Sequence, residues 1–263
     1  MSSAENTQTG TDMPEAGMLD VAVHRGGGDR PSSIQHYQVP RQENQTVLDI
    51  VSHIQHYIDP TLSYRFACRV GMCGSCAMMV NGEPRWTCRT HIDKVVQNDS
   101  LEIAPLRNLP VIKDLVPDLD PFFDKWTKAE ARHHPSATRH QPMHLQPPDS
   151  PERQRADANI ECINCAVCYA ACDTVANQPD YLGPAALQRA WTLLNDAKDA
   201  DKEAIWQAVS GSDGCHNCHS IGSCAHYCPN ELNPMVAIAG LKQQTVRQAF
   251  SLASLLEKTK ADD

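Results

Sequence analysis

The chain has few aromatic residues, no excess of positive charge and no long apolar run. Phe, Trp and Tyr make up 5% of its 263 residues, so aromatic side chains supply little of the core volume. The formal net charge is −9, which argues against a nucleic-acid partner because phosphate binding needs a basic face. No apolar run approaches the roughly 18 residues of a bilayer-spanning helix. We therefore expect no transmembrane helix, and any membrane association must come through a partner.

Residues 1–17 are polar and acidic, and they predict a disordered N-terminal tail. They have neither the basic segment and apolar core of a secretory signal nor the Arg-rich, acid-poor composition of an organelle transit peptide. These features favour a bacterial cytoplasmic protein. In that compartment, twelve cysteines indicate metal or redox chemistry rather than disulfides.

The twelve cysteines fall in three runs. They are Cys68, Cys73, Cys76 and Cys88 (C-x4-C-x2-C-x11-C); Cys162, Cys165, Cys168 and Cys172 (C-x2-C-x2-C-x3-C); and Cys215, Cys218, Cys224 and Cys228, followed by Pro229. The first spacing is typical of plant-type [2Fe–2S] ferredoxins and the second of bacterial ferredoxins. Zinc is the alternative occupant, but zinc ribbons use two separated CxxC pairs rather than these runs. The spacing therefore predicts iron–sulfur clusters.

The second and third runs are expected to exchange ligands, because in bacterial ferredoxins the fourth cysteine of a run serves the other cluster. This exchange predicts a [4Fe–4S] site at Cys162, Cys165, Cys168 and Cys228, and a further site at Cys172, Cys218 and Cys224. A complete run counted back from Cys228 would need a cysteine at position 221, where the chain has Ile221. The second site therefore lacks one thiolate, which favours [3Fe–4S]. Cys215 is expected to be a spare buried thiol; alternatively, it replaces Cys218 or supplies a fourth ligand.

Residues 18–120 predict strands around one helix. Strand patterns flank Gly26-Gly27-Gly28 and Asn81-Gly82, which predict two hairpin turns, and a further strand follows at Leu101 and Ile103. Thr46 predicts the cap of a helix that begins at Val47 and stops at Asp59-Pro60. This arrangement is typical of a β-grasp ferredoxin domain with a plant-type [2Fe–2S] cluster.

Residues 159–250 predict an all-α, bacterial-ferredoxin-like domain that holds two cubane-type clusters, so the predicted fold class is α+β. Helices are expected to open at Gly183-Pro184 and Asn233-Pro234, with a short one over 204–209. Residues 121–158 predict a linker segment and 251–263 a C-terminal tail. The linker's histidines are interpreted as solvated rather than as metal ligands: His133, His134, His140 and His144.

Over about residues 18–247 the chain resembles the iron–sulfur subunits of succinate dehydrogenase and fumarate reductase. The resemblance is carried by YRFACRVGMCGSCAMMVNGEP (64–84), LPVIKDLVPDLDPFF (109–123), ECINCAVCYAAC (161–172), YLGPAAL (181–187) and CHSIGSCAHYCPNELNP (218–234). The third stretch is closer to fumarate reductase, whereas CHSI is more like succinate dehydrogenase.

The resemblance implies an electron-transfer subunit. A flavoprotein partner would carry FAD and interconvert succinate and fumarate, and electrons would pass singly through [2Fe–2S], [4Fe–4S] and [3Fe–4S] clusters to a quinone. By similarity, His219 and Ile221 would line a quinone site shared with a membrane-anchor subunit. The expected location is peripheral, on the cytoplasmic face of the bacterial inner membrane. No catalytic residue is expected, because the substrate chemistry belongs to the flavin.

The chain departs from the family pattern beside Cys172. Family members commonly have proline after that cysteine, where this chain has Asp173, and Asn177 stands roughly where a tryptophan often contributes to the quinone pocket. An ionised Asp173 close to a cluster would lower its potential; the alternative role is helix or turn capping. These departures motivate a second hypothesis, an adaptor subunit of a different flavin dehydrogenase with a soluble acceptor.

Three arginines flank the first run: Arg65, Arg69 and Arg89. They either offset the negative charge of a cluster or are ordinary surface arginines.

Overall fold

The computed structural model describes residues 17–143 and 145–261, with side chains as far as residue 250. The predicted tail over 1–17 lies outside the described residues except for Gly17, and His144 also lies outside them. A β-sheet forms most of the first half of the chain and helices form the second half. This is the mixed α and β organisation that the sequence predicts.

The first half contains a five-stranded mixed sheet in the order β2-β1-β5-β3-β4. Strands β1 and β5 are parallel, and the other neighbours are antiparallel. A separate antiparallel pair, β6 and β7, follows. The strands are β1 Met18–Gly27, β2 Arg30–Pro40, β3 Ala77–Val80, β4 Glu83–Trp86, β5 Ser100–Ala104, β6 Val111–Lys113 and β7 Val116–Pro117.

Both predicted hairpins are confirmed. The first turns between Gly27 and Arg30, where the pairing register shifts next to the glycine run. In the second, Asn81 and Gly82 have φ of 49° and 79°. Positive φ at both central residues is what a type I′ turn requires, and it suits Asn-Gly.

The predicted helix after Thr46 is also confirmed. Asp49 N–H donates to Thr46 Oγ1 at 3.3 Å and Thr46 N–H donates to the Asp49 carboxylate at 2.9 Å, which is a capping box. The helix α1, Val47–His53, continues as a π-helical stretch, Ile54–Ile58. Its buried face packs on the sheet, and together they form a first hydrophobic core. The residues of this core include Val47, Ile50 and Ile54 of the helix and Leu19, Val21, Leu101 and Ile103 of the sheet.

Helices dominate the remainder. They are α2 Asp120–Lys128, α3 Pro151–Ala156, α4 Val167–Ala170, α5 Asp173–Asn177, α6 Gly183–Asn195, α7 Lys202–Ser210, α8 Ser223–His226 and α9 Pro234–Ala261. The predicted starts of α6 and α9 are confirmed, and α7 is longer than predicted. Helix α9 continues through most of the segment predicted as a C-terminal tail. None of the described helices combines the length and apolarity that crossing a bilayer demands.

Residues 121–158 are not only a linker. Helix α2 occupies the start of this segment, and Phe122 is 1% exposed within a core shared with the later helices. Its ring meets Tyr169 edge-on, with centroids 5.5 Å apart. The long-range packing of Phe122, rather than any local signal, holds this part of the segment in the fold.

A second hydrophobic core joins the two halves of the molecule. It combines Cys76, Met79 and Trp86 of the sheet half with Val167 and Leu187 of the helical half. The three cysteine runs lie beside or within this shared core, so the packing that joins the halves also positions the runs relative to one another.

Candidate cysteine-lined cluster sites

The first cysteine run forms a tight loop before β3. The backbone N–H groups of Val70 and Met72 donate to Cys68 Sγ at 3.4 and 3.2 Å. Gly71, between them, has φ of 75°, a conformation that glycine adopts without a steric penalty. Backbone N–H groups turned toward a sulfur stabilise its thiolate form and tune a cluster bound to it.

The later cysteines of this run close on the loop from β3 and β4. Cys76 and Cys88 are buried, and burial raises the pKa of Cys88 to about 11, with Cys76 and Cys68 raising it further. Cys73 differs, because hydrogen bonds from the Ser75 side chain and the Cys68 backbone lower the pKa of its thiol to about 6. The thiols of this run therefore influence one another, as the predicted shared site requires.

The cysteine loops of the two halves touch at Gly74. Gly74 has φ of 69°, and a Cβ built on it would lie 2.6 Å from Cys165 Cβ and 2.9 Å from Cys165 Cα. A larger residue would therefore push the two loops apart. The first and second cysteine groups are consequently direct neighbours in space.

The second group lines one cavity with apolar walls; its members are Cys162, Cys165, Cys168 and Cys228. Asn164 and Ala166 have φ of 57° and 61°, which bends the loop before α4. Burial raises the pKa of Cys165 to about 11 and raises the pKa of Cys168 well above its usual value. Metal binding at such thiols must displace their protons.

The third group consists of Cys172, Cys218 and Cys224. Burial raises the pKa of Cys224 to about 12, and the charges of Cys172 and Cys218 raise it further. The backbone N–H of Ser220 donates to Cys218 Sγ at 3.4 Å. Lys242 of α9 donates to the Cys218 carbonyl oxygen, which ties the final helix to this group.

Tyr181 lies against the same group. Its side chain is 1% exposed, and burial followed by the charge of Cys218 raises the pKa of its hydroxyl above the usual range. The hydroxyl therefore stays protonated and can donate to the Cys218 sulfur.

Cys215 is completely buried. Burial raises the pKa of its thiol, and the polar side chains that act on it are Thr245 and Lys242. The structure thus places it as a buried thiol beside α9, at the edge of the third group. Its role as a spare thiol rather than a ligand stays a prediction.

The donor sets suit polynuclear clusters. Within residues 17–143 and 145–261, no three His, Cys, Asp or Glu side chains form a group that could hold one metal ion. Four cysteines, Cys162, Cys165, Cys168 and Cys228, instead line one shared cavity. Several irons, each approached by a soft thiolate from a different direction, fit such an arrangement.

Two residues of the sheet half donate hydrogen bonds to the end of α4 beside Cys172. Asn108 Nδ2 donates to the carbonyl oxygens of Tyr169 and Cys172 at 3.0 and 3.1 Å. Arg107 Nε donates to Ala170 O at 2.6 Å. Carbonyls that the short helix leaves without partners are thereby satisfied by the other half of the molecule.

Asp173 lies close to one of these two residues, Arg107. Its carboxylate lies 3.6 Å from Arg107 Nη2, and it is the first residue of α5. A carboxylate in the first turn of a helix is favourable, but Asp173 makes no capping hydrogen bond, since the N-cap of α5 is Cys172; Arg107 offsets part of its charge.

The proposed quinone-site residues lie at the surface beside the third group. His219 is exposed and Ile221 is 62% exposed. Asn177, in the place where the family often has tryptophan, turns its amide back to donate to Asp173 O at 2.8 Å.

The three arginines near the first loop make distinct contacts. Arg65 donates to Pro117 O at 2.9 Å, and the Arg69 guanidinium lies 4.7 Å above the Phe66 ring. Arg89 packs its side chain against Gly71 of the loop itself. None of these contacts decides whether an arginine offsets the charge of a cluster.

Two of the linker histidines also make contacts with the helical half, although His133 is exposed and His134 only partly buried. His133 Nδ1 lies 3.1 Å from the Asp199 carboxylate, which also accepts from the His134 backbone at 3.1 Å. Asp199 is 4% exposed, so this stretch is anchored to the helical half. His140 is exposed, as expected.

Two family models match the chain, one on each half. A 2Fe-2S iron-sulfur cluster binding domain matches residues 20–124, and a 4Fe-4S dicluster domain matches residues 161–233. The fumarate reductase iron-sulfur subunit of Mycobacterium tuberculosis is 32% identical over 89% of this chain and 94% of its own length. The chain belongs to the family of succinate dehydrogenase and fumarate reductase iron–sulfur subunits.

Other members agree with this family assignment. The mitochondrial succinate dehydrogenase [ubiquinone] iron-sulfur subunit of Candida glabrata is 33% identical over 92% of this chain and 96% of its own length. A chain of the Mycobacterium smegmatis Sdh1 complex in the apo form has a TM-score of 0.75 at 26% identity, over 89% of this chain and 97% of that one. An iron–sulfur subunit of this oxidoreductase family transfers electrons.

Sequence reasoning missed several residues at these sites: Trp86, Arg107, Asn108, Tyr181 and Lys242. Tyr181 lies within a family-like stretch, but its role depends on distance to Cys218. The other four carry no local sequence signal, because each acts across the contact between the sheet half and the helical half or from a distant helix. Only the three-dimensional contacts identify them.

Proposed function

We propose that this subunit conducts single electrons between the FAD of a flavoprotein subunit and a quinone at a membrane anchor. The path runs through a [2Fe–2S] cluster at Cys68, Cys73, Cys76 and Cys88, a [4Fe–4S] cluster at Cys162, Cys165, Cys168 and Cys228, and a [3Fe–4S] cluster at Cys172, Cys218 and Cys224. The two domains would be a β-grasp plant-type ferredoxin and a bacterial-ferredoxin-like helical domain.

The observation that carries this proposal is the adjacency of the three sulfur groups. Gly74 of the first group's loop touches Cys165 of the second. The second and third groups interleave, because Cys168 lies in α4 and Cys172 just after it, while Cys224 lies in α8 and Cys228 just after it. Neighbouring centres in one chain suit stepwise electron transfer.

The protein's own contribution is binding, burial and tuning. When bound, iron–sulfur clusters supply the one-electron chemistry. Backbone N–H groups at Cys68 and Cys218 stabilise thiolates, and the apolar walls around Cys162, Cys165, Cys168 and Cys228 limit water access.

The electron exit would lie at the third group. Exposed His219 and Ile221 beside Cys218 and Cys224 would face the quinone and the anchor, with the subunit peripheral on the cytoplasmic face of a bacterial inner membrane. His219 would aid proton delivery to the quinone.

A His219→Ala variant tests this exit in the affinity-purified complex. We expect succinate–quinone reductase activity to fall about tenfold or more, because a positioned proton donor contributes at least that much. Succinate oxidation with an artificial acceptor that bypasses the quinone should stay unchanged. His226→Ala, a second exposed histidine nearby, is the matched control.

Two results would contradict this part of the proposal. One is unchanged quinone turnover in His219→Ala. The other is purification with a soluble partner and without quinone activity, which would favour the adaptor of a different flavin dehydrogenase; the departures at Asp173 and Asn177 are the reason for that alternative.

A further inference from the structure

Trp86 links the first two cysteine groups. It is the last residue of β4, two positions before Cys88, and it is 7% exposed. Although it belongs to the sheet half, its side chain lines the cavity of Cys162, Cys165, Cys168 and Cys228. Of the four tryptophans in the chain, it is the one that lines this cavity.

The contact with the first loop fixes the direction of the indole ring. A Cβ built on Gly71 would lie 3.1 Å from Cζ3 and 3.3 Å from Cε3 of Trp86. The benzenoid edge of the indole therefore rests on the loop between Cys68 and Cys73. Because Nε1 lies on the opposite edge of the ring system, the N–H points away from that loop.

The buried Nε1 has no hydrogen-bond partner among the described residues. Cys165 and the other three cysteines of the second group line the same cavity as the indole. Buried N–H donors are nearly always paired, so a sulfur of the centre in this cavity is the acceptor that the geometry offers.

We propose that Trp86 is a positioning residue for the second centre: its indole N–H donates to a sulfur of the [4Fe–4S] cluster held in this cavity and raises the reduction potential of that cluster. The inference rests on the proposed function. Reduction adds one electron, taken from the [2Fe–2S] centre, with no bond made or broken and with Trp86 itself unchanged. A hydrogen bond to sulfur favours the reduced form because that form carries more negative charge.

The test is Trp86→Phe in the intact, anaerobically purified complex. Phenylalanine keeps a ring against Gly71 but removes the N–H. In a redox titration followed by electron paramagnetic resonance, the [4Fe–4S] midpoint should fall relative to the native complex, while the other two midpoints stay in place.

Trp126→Phe is the matched control. Trp126 packs against the same core and also has a buried Nε1 without a partner among the described residues, but it does not line the cysteine cavity. The midpoint potentials of the three clusters in the Trp126→Phe complex should equal those of the native complex. An unmoved [4Fe–4S] midpoint in Trp86→Phe, or an equal fall in Trp126→Phe, would overturn the inference.

A second measurement covers loss of the cluster from the variant. The native complex is labelled with indole-15N tryptophan, and electron–nuclear double resonance is recorded on the reduced [4Fe–4S] signal. We expect a 15N coupling, and the Trp126→Phe complex should retain it. Absence of the coupling from the native complex would contradict the role of Trp86. A native complex without iron would instead contradict the proposed function. An iron-replete Trp86→Phe complex with unchanged midpoint potentials would contradict this inference alone.

Discussion

At the scale of single residues, a buried ion-pair network holds the chain that leads into the first cysteine loop. Arg25 lies 2.6 Å from the Asp59 carboxylate and 3.1 Å from that of Asp114. Asp114 also accepts from the backbone N–H groups of Gly26 and Ser63 at 3.1 and 3.0 Å. One carboxylate thus joins β1, the turn between β6 and β7, and the entry to Cys68.

Replacing Asp114 with alanine should lower the free energy of unfolding by about 3 kcal/mol at neutral pH, because it leaves Arg25 and two backbone donors unpaired. Burial alone would raise the pKa of Asp114, but the hydrogen bonds from Gly26, Arg25 and Ser63 outweigh it and lower the pKa. A lowered folded-state pKa contributes stability above the unfolded value of about 4, and that contribution is lost as pH falls below it.

Denaturant unfolding followed by circular dichroism at several pH values measures this effect. The difference between native protein and Asp114→Ala should shrink as pH falls from 7 toward 3. Asp93→Ala, which removes an exposed partner of Arg41, is the control and should change stability by less than about 1 kcal/mol. Equal losses in both variants would contradict the account.

At the scale of elements, glycines at positive φ allow the cysteine loops to approach. Gly74 and Gly82 have similar backbones, with φ of 69° and 79°. A Cβ on Gly74 would collide with Cys165, whereas a Cβ on Gly82 would meet nothing within 4 Å. Alanine substitutions at these two glycines therefore distinguish the cost of the backbone conformation from the cost of the collision between the loops.

Gly82→Ala should cost about 1–2 kcal/mol of stability from its backbone conformation alone, with the iron content unchanged. Gly74→Ala should lose more stability and also lower the iron content, because it displaces Cys165 from the second group. Thermal unfolding and iron analysis of both purified variants measure this; equal iron content would show that the contact at Gly74 is dispensable.

The elements that sequence predicted well have local causes. Thr46 and Asp49 form a capping box within one turn, and Asn81-Gly82 carries its own turn geometry, so neighbouring residues suffice. Helix α2 in the predicted linker was missed because the burial of Phe122 depends on Tyr169, far along the chain. The cysteine spacing predicts the runs, whereas the cavity that Trp86 shares with Cys165 exists only after the halves pack.

At the scale of the whole molecule, one shared hydrophobic core holds the two halves together, and the three proposed cluster sites would form a single electron path across them. Cys76 and Trp86 from the sheet half and Val167 and Leu187 from the helical half belong to the same core. This shared core would set the distance between the first two proposed centres, and the contact between α4 and α8 would set the distance between the second and the third.

Anomalous diffraction at the iron absorption edge, from crystals of the complex grown without air, tests this most directly. The account predicts three separate iron peaks in a row: one within the four cysteines of the first loop, one within the cavity beside Trp86, and one among the three cysteines beside Tyr181. A missing peak, a zinc signal in place of iron, or iron bound at other residues would contradict it.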